Sequence, residues 1–176
     1  IVEGLNRFSC KGSLLCIDIE SDKIIQKINL KNKHLSYPFT KEFFGKKYIY
    51  PDSGSLNRAI LYSGYNQSSL KISTMKGFKS GLIDPSVIEH DGLFYLFANY
   101  PEEKFVLRLW ISSNPNFNDA CEHPESPICI SPQGGRSGGR IFKLKEKIYR
   151  FGQDYTGDYG NGLILFEITL NKESYF

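Results

Sequence analysis

Three groups of residues in this chain have the types and spacing to act on a small ligand. The first is Gln153-Asp154-Tyr155-Thr156-Gly157-Asp158-Tyr159-Gly160, the densest polar and aromatic stretch of the sequence. An amide, a carboxylate and flat rings are the groups that grip sugar hydroxyls and cover the apolar face of a pyranose. The same groups also serve in a loop that only satisfies its neighbours' backbone amides. The second group is Arg136 and Arg140, in the glycine-rich loop Gly134-Gly135-Arg136-Ser137-Gly138-Gly139-Arg140. Neither arginine has an acidic residue within four positions, which points to an anionic ligand rather than a local ion pair. The alternative is a partner across the fold, Asp84 or Asp154 for Arg140. The loop lacks the helix and the Lys-Ser/Thr ending of a phosphate cradle. The third group precedes two prolines: Asp84 before Pro85, and His34, Ser36 and Tyr37 before Pro38. They offer a carboxylate, a hydrogen-bond donor and a stacking ring, although Asp before Pro is also an ordinary turn former.

What would bring these groups together is a repeat. Pro38 to Pro85, Gly45 to Gly92 and Tyr48 to Tyr95 are each 47 positions apart, and Tyr95 to Tyr149 is 54. Each unit has an inner turn, a short strand, a glycine-marked hairpin and an aromatic strand. In the second unit His90-Asp91-Gly92 favours the positive φ values of a tight hairpin. Beyond it Phe94, Leu96 and Ala98 alternate with Tyr95 and Phe97, so both strand faces are apolar and the strand lies between two sheets. A strand repeat of this length predicts an all-β propeller of four-stranded antiparallel blades. One domain spans residues 1–176, with blades at 31–78, 79–130 and 131–176. Residues 1–30 hold two strands, Leu14 to Ile19 and Lys23 to Ile28, that read as the outer part of a preceding blade. The expectation is about three and a half blades of a longer protein, whose ring an oligomer or a partner domain completes. Tyr62, Trp110 and Phe166 align in outer strands as inter-blade core. The inner strands line a channel, which aims Tyr37 and Asp84 at a shared pocket.

Composition narrows the function classes. The chain has 176 residues, 40% hydrophobic and 14% aromatic, enough for a packed β domain. Its net charge of +3 comes from interspersed acids and bases with no run of five, so nucleic acid is not an expected partner. No apolar stretch reaches the roughly 18 to 20 residues of a membrane span, and no signal peptide is visible. Cys10, Cys16, Cys121 and Cys129 match no zinc spacing and read as free thiols of a cytoplasmic protein, with no metal or cofactor expected.

Five motifs follow in order: His34-Leu35-Ser36-Tyr37-Pro38-Phe39, Tyr48-Ile49-Tyr50-Pro51-Asp52, Ile83-Asp84-Pro85-Ser86-Val87-Ile88, Arg136-Ser137-Gly138-Gly139-Arg140-Ile141-Phe142 and Tyr149-Arg150-Phe151-Gly152-Gln153-Asp154 with Tyr159-Gly160. Over residues 30–170 the set resembles the N-terminal propeller of glucosamine inositolphosphorylceramide transferases. The resemblance extends to bacterial domains that stand alone or beside formyltransferase-like or glycosyltransferase modules of surface-polysaccharide pathways, and a bacterial source is expected. It implies a carbohydrate-handling domain that binds a sugar, glycan or sugar nucleotide, with any transferase activity in an attached module. It also places Asp52 and Arg58, in the loop Asp52 to Arg58, near the pocket rim, where a merely solvated connection is the alternative. More distantly the chain is similar to five-bladed arabinanase and xylosidase propellers. Those use an Asp-Pro base, a second Asp and a Glu acid, as glycoside hydrolysis requires. Asp84 matches an Asp-Pro position, but Tyr37 and Gly138 stand at the neighbouring places, so the triad is incomplete. A glycoside hydrolase using Asp84 and Asp52 is the rival reading, and a protein-binding scaffold is the third.

Overall fold

Short apolar alternations, each cut by glycine or a turn former, become sixteen β-strands in the computed structural model, which describes residues 1–31, 33–66 and 69–176. No α-helix occurs among the described residues. The strands form four small antiparallel sheets in chain order, arranged as propeller blades. Sheet 1 holds β1 (Val2–Asn6), β2 (Lys11–Asp18) and β3 (Lys23–Ile28). Sheet 2 holds β4 (Ser36–Phe43), β5 (Lys46–Asp52), β6 (Ile60–Gly64) and β7 (Lys71–Thr74). Sheet 3 runs β8 (Ile83–His90), β9 (Leu93–Asn99), β10 (Val106–Ser112) and β11 (Cys121–Glu122), with β12 (Cys129–Ile130) also on β10. In sheet 4, β13 (Gln133–Ser137) and β14 (Phe142–Leu144) both lie along one side of β15 (Lys147–Asp154), and β16 (Gly162–Ile168) lies along the other.

Two differences from the sequence expectation concern strand number. Residues 1–30 add a third strand, β1, whose mostly exposed residues carry little apolar alternation. Sheet 4 is three strands wide, because its inner edge is one broken strand interrupted by the glycines and Arg140.

The alternation along β9 decides how the sheets stack. Phe94, Leu96 and Ala98 join Tyr48, Tyr50, Leu61 and Trp110 in the core between sheets 2 and 3. Tyr95 and Phe97 point the other way and join Leu107, Leu109, Ile148 and Ile168 between sheets 3 and 4. Ile49, Ile60 and Tyr62 pack on Leu14, Cys16 and Ile28 between sheets 1 and 2. Fully burying one such side chain contributes about 1.5–3 kcal/mol, so an interior sheet gains from both faces and an end sheet from one. Among the described residues, no interface of comparable size joins sheet 4 back to sheet 1.

Hairpin chemistry sets the register. Phe44-Gly45 and Asp91-Gly92 have positive φ at both central residues, 53° and 72°, then 50° and 75°. Such turns match the strand twist and close two-residue loops.

Candidate functional site

At the start of each inner strand the ladder slips. Register shifts fall between Ser36 and Phe39 in β4 and between Ile83 and Ser86 in β8. Tyr37 and Asp84 occupy these bulges with φ of 42° and 47°. A bulge of this kind re-aims a side chain, and the left-handed backbone costs a non-glycine residue roughly 1–2 kcal/mol. In sheet 4 the Gly138 amide donates to the Phe151 carbonyl at 2.8 Å. Phe151 stands where Phe97 stands in sheet 3, opposite Ser86. Gly138 therefore takes the place of Ser86, and Arg136 takes that of Asp84. The expected equivalence of Asp84 with Gly138 is corrected by two residues, because sequence spacing does not reveal how a broken strand pairs.

Tyr37, Asp84 and Arg136 thus enter from three sheets. Asp84 is 5% exposed. Its Oδ2 accepts from Arg136 Nε at 2.5 Å and from Gln153 Nε2 at 3.2 Å. Arg136 Nη1 also donates to the Tyr155 hydroxyl at 2.9 Å. Burial pushes the Asp84 carboxyl above its ordinary range, and Arg136 and Gln153 pull it back. Tyr37 pairs its hydroxyl with Ser86 at 3.3 Å, and Ser86 donates to the Gly139 carbonyl at 3.1 Å. Burial raises the Tyr37 phenol to about 12. The anionic ligand expected from Arg136's lack of local acids is not needed to explain it: its counter-ion is Asp84, 52 residues away.

A second set comes from the ends of the middle strands. Asp52, Asn99 and Gln153 follow the same 47- and 54-residue spacings. The Asp52 Oδ1 accepts from the Gly54 amide at 2.9 Å. Burial first, and the Asp84 charge in addition, push Asp52 up to about 6, with the Gly54 hydrogen bond, then Arg136 and His34, opposing. Asn99 Nδ2 donates to the Gly135 carbonyl at 2.6 Å and ties sheet 3 to the glycine loop. Gln153 Nε2 reaches both Asp84 and the Ser137 carbonyl, the latter at 2.7 Å.

The other candidates separate. Arg140 is exposed, donates to the Thr40 carbonyl at 3.1 Å and lies over the Phe39 ring. It lines a cleft of about 230 Å³ with Tyr37, Pro38 and Phe39, beside the Asp84 cluster rather than in it. Asp154 turns away to accept from Thr156, and both hydrogen bonds lower its pKa. Tyr159 is 81% exposed and leans on Tyr155 at 5.9 Å between ring centroids. His34 accepts from the Gly12 amide at 2.9 Å, a tie between sheets 1 and 2. Arg58 is exposed on its loop. Ser86, Asn99 and Glu3 were not foreseen. Glu3 accepts weakly from the Tyr37 amide at 3.4 Å. The 47-residue spacing from Asp52 would have found Asn99, whereas nothing in the sequence marks Glu3.

The model for the family described as glucosamine inositolphosphorylceramide transferase 1, N-terminal, matches residues 23–176. The chain belongs to this family. The rice (Oryza sativa subsp. japonica) glucosamine inositolphosphorylceramide transferase 1 is 34% identical over 151 residues, covering 81% of this chain and 20% of its own length. The Arabidopsis thaliana protein of the same name is 30% identical over the same coverage. The chain therefore spans about a fifth of the length of these curated relatives. They are plant proteins, which corrects the expected bacterial source. Among solved structures, an exo-β-1,3-galactanase from Clostridium thermocellum has a TM-score of 0.63 at 10% identity, covering 98% of this chain and 43% of that one. At that identity the likeness shows the fold alone: a family propeller domain with the architecture of a glycosidase.

Proposed function

We propose that this domain recognises a sugar at the Asp84 cluster, within a longer protein of the glycosyltransferase-associated family. The observation that carries the reading is the meeting of Asp84, Arg136, Gln153 and Tyr155 from neighbouring sheets beside the Tyr37 cleft. Asp84 Oδ2 is saturated by two donors, while Oδ1 has no protein donor among the described residues. Asp52 likewise has one oxygen bound to Gly54. Two acceptors beside a guanidinium and a phenol suit a hydroxyl-rich ring. Because Asp84 already neutralises Arg136, the cluster favours the hydroxyls of a sugar over a nucleotide phosphate.

One observation favours hydrolysis as a second reading. Asp52, raised to about 6 by burial, and Asp84, paired with the Arg136 guanidinium, are two carboxyls whose surroundings differ, as an acid and a base require. The place of a third carboxyl holds Tyr37 in one neighbouring sheet and Arg136 in the other, so binding without turnover is the expected behaviour. Calorimetric titration with neutral mono- and oligosaccharides, beside an aryl-glycoside assay, tests both. Heat of binding with no aryl release supports recognition; steady turnover would replace it with hydrolysis, and silence in both assays would remove the sugar altogether.

A further inference from the structure

Lys46 opens β5 and Asp52 closes it, and a second cleft lies at the Lys46 end, away from the Asp84 cluster. Sheets 2 and 3 part there beyond their aromatic core, leaving a groove of about 550 Å³, in the range of small-molecule sites. One wall is sheet 2. Lys46, Ser63 and Lys71 share the strand face that carries Tyr48 and Leu61 into the core, and Tyr65 follows at the rim, 73% exposed. Asn116 and Asn118, from the loop after β10, form the other wall. Between them Phe117 is fully buried with φ 51°, and its carbonyl accepts from the Lys76 amide at 2.8 Å. A bulky residue keeps a left-handed backbone only where its surroundings hold it. The wall is therefore fixed before any ligand arrives.

We propose that this groove is a separate binding site for an anionic saccharide, a short chain of sugar rings bearing carboxylate or sulfate groups. Its polar groups are unspent. Ser63 is only 8% exposed, yet its hydroxyl has no hydrogen-bond partner among the described residues, and neither have the side-chain amides of Asn116 and Asn118. No acid pairs with Lys46 or Lys71 among those residues, and Lys46 only lies over the Tyr48 ring at 5.6 Å. No Asp or Glu lines the groove. Asp119, beside Asn118, is turned into its own loop, where it accepts from Ser112, Ser113 and Asn114. Two ammonium groups without counter-ions call for anionic charge. Carboxamides and a hydroxyl offer donors and acceptors to sugar hydroxyls, and the Tyr65 ring offers a face to a pyranose. The inference uses no residue of the Asp84 cluster, so either site can fail alone.

Calorimetric titration of the 176-residue chain tests this with trigalacturonate, a sulfated galactan trisaccharide, the neutral methyl ester of trigalacturonate and inorganic sulfate. At least one acidic trisaccharide binds, with an affinity that falls as salt is added, and the carboxylated and sulfated probes show which anion the groove takes. The methyl ester and inorganic sulfate each bind at least about tenfold more weakly. The double variant Lys46→Gln/Lys71→Gln lowers the affinity at least about tenfold, and Asn118→Ala at least about threefold. Asn118 is exposed, so its variant moves Tm by no more than about 2 °C and reads the site even if the lysine pair disturbs folding. Silence with both acidic probes, or an affinity unchanged in the variants, would overturn the inference. Equal binding of the ester would remove the role of charge, and equal binding of inorganic sulfate would reduce the groove to a bare anion site; each overturns it as well.

Discussion

Asp84 and Asp52 are two carboxyls in one neighbourhood, and only Asp84 has a direct counter-ion. The difference has a measurable consequence. Asp52 moves from 3.8 to about 6 on folding, chiefly through burial. Between those values the folded chain holds the proton more tightly than the unfolded chain does. Stability therefore falls as pH rises through the window, and the cost of the charge is fully present above pH about 6. Asp52→Asn keeps an acceptor for the Gly54 amide and removes that cost. Its stability relative to the parent should be higher at pH 8 than at pH 4 by on the order of 1–3 kcal/mol, read from urea melts at both. A difference that does not change with pH would mean that Asp52 is solvated. The same residues illustrate what a sequence reveals about charge. Asp84 stands out by its place before Pro85, but its partner Arg136 lies 52 residues on. A search for acids within four positions cannot find a pair that only sheet packing creates.

At the scale of the strand, sheet 4 departs from its siblings, and glycine makes the departure feasible. Gly134 has φ 88°, and a Cβ there would lie 2.4 Å from the Phe166 ring. Its carbonyl accepts from Arg150, which is 6% exposed, bonded to the Tyr175 hydroxyl and laid over Phe166 at 4.1 Å. Gly134→Ala should therefore cost about 2–4 kcal/mol, combining left-handed strain with a clash against a held ring. Guanidinium melts would check this, and a loss below about 0.5 kcal/mol would mean that the ring yields freely. Much of the element pattern was legible. The faces of β9, the Asp91-Gly92 hairpin and the inner placement of Tyr37 and Asp84 all follow from alternation and turn residues. The pairing of β13 was not, because four glycines erase alternation and leave the register to contacts with β15. That is why Gly138 stood in for Arg136 in the reading of the repeat. Arg150 was read only as part of a motif, since burying a charge depends on partners as distant as Tyr175.

For the molecule as a whole, the fold came from spacing: two intervals of 47 and 54 residues reproduce both the blade order and the set Asp52, Asn99 and Gln153. The site did not follow as directly. Of the two arginines in the glycine-rich loop, only Arg136 meets Gln153 at Asp84, while Arg140 turns to sheet 2. Propellers place such clusters where inner strands from several blades begin, which makes the cluster a property of the assembly and not of any one repeat. The central claim is that this cluster holds a sugar, and it rests on Asp84 as the carboxylate shared by Arg136 and Gln153. The most direct test is calorimetric titration of Asp84→Asn beside the parent protein, using the saccharide that binds the parent best. Asparagine keeps the side-chain shape and removes the charge. The account predicts that affinity falls at least about tenfold, the loss of a charge-assisted hydrogen bond, while Tm stays within about 5 °C of the parent. Unchanged affinity in the variant, or a parent that binds no saccharide at all, would contradict it.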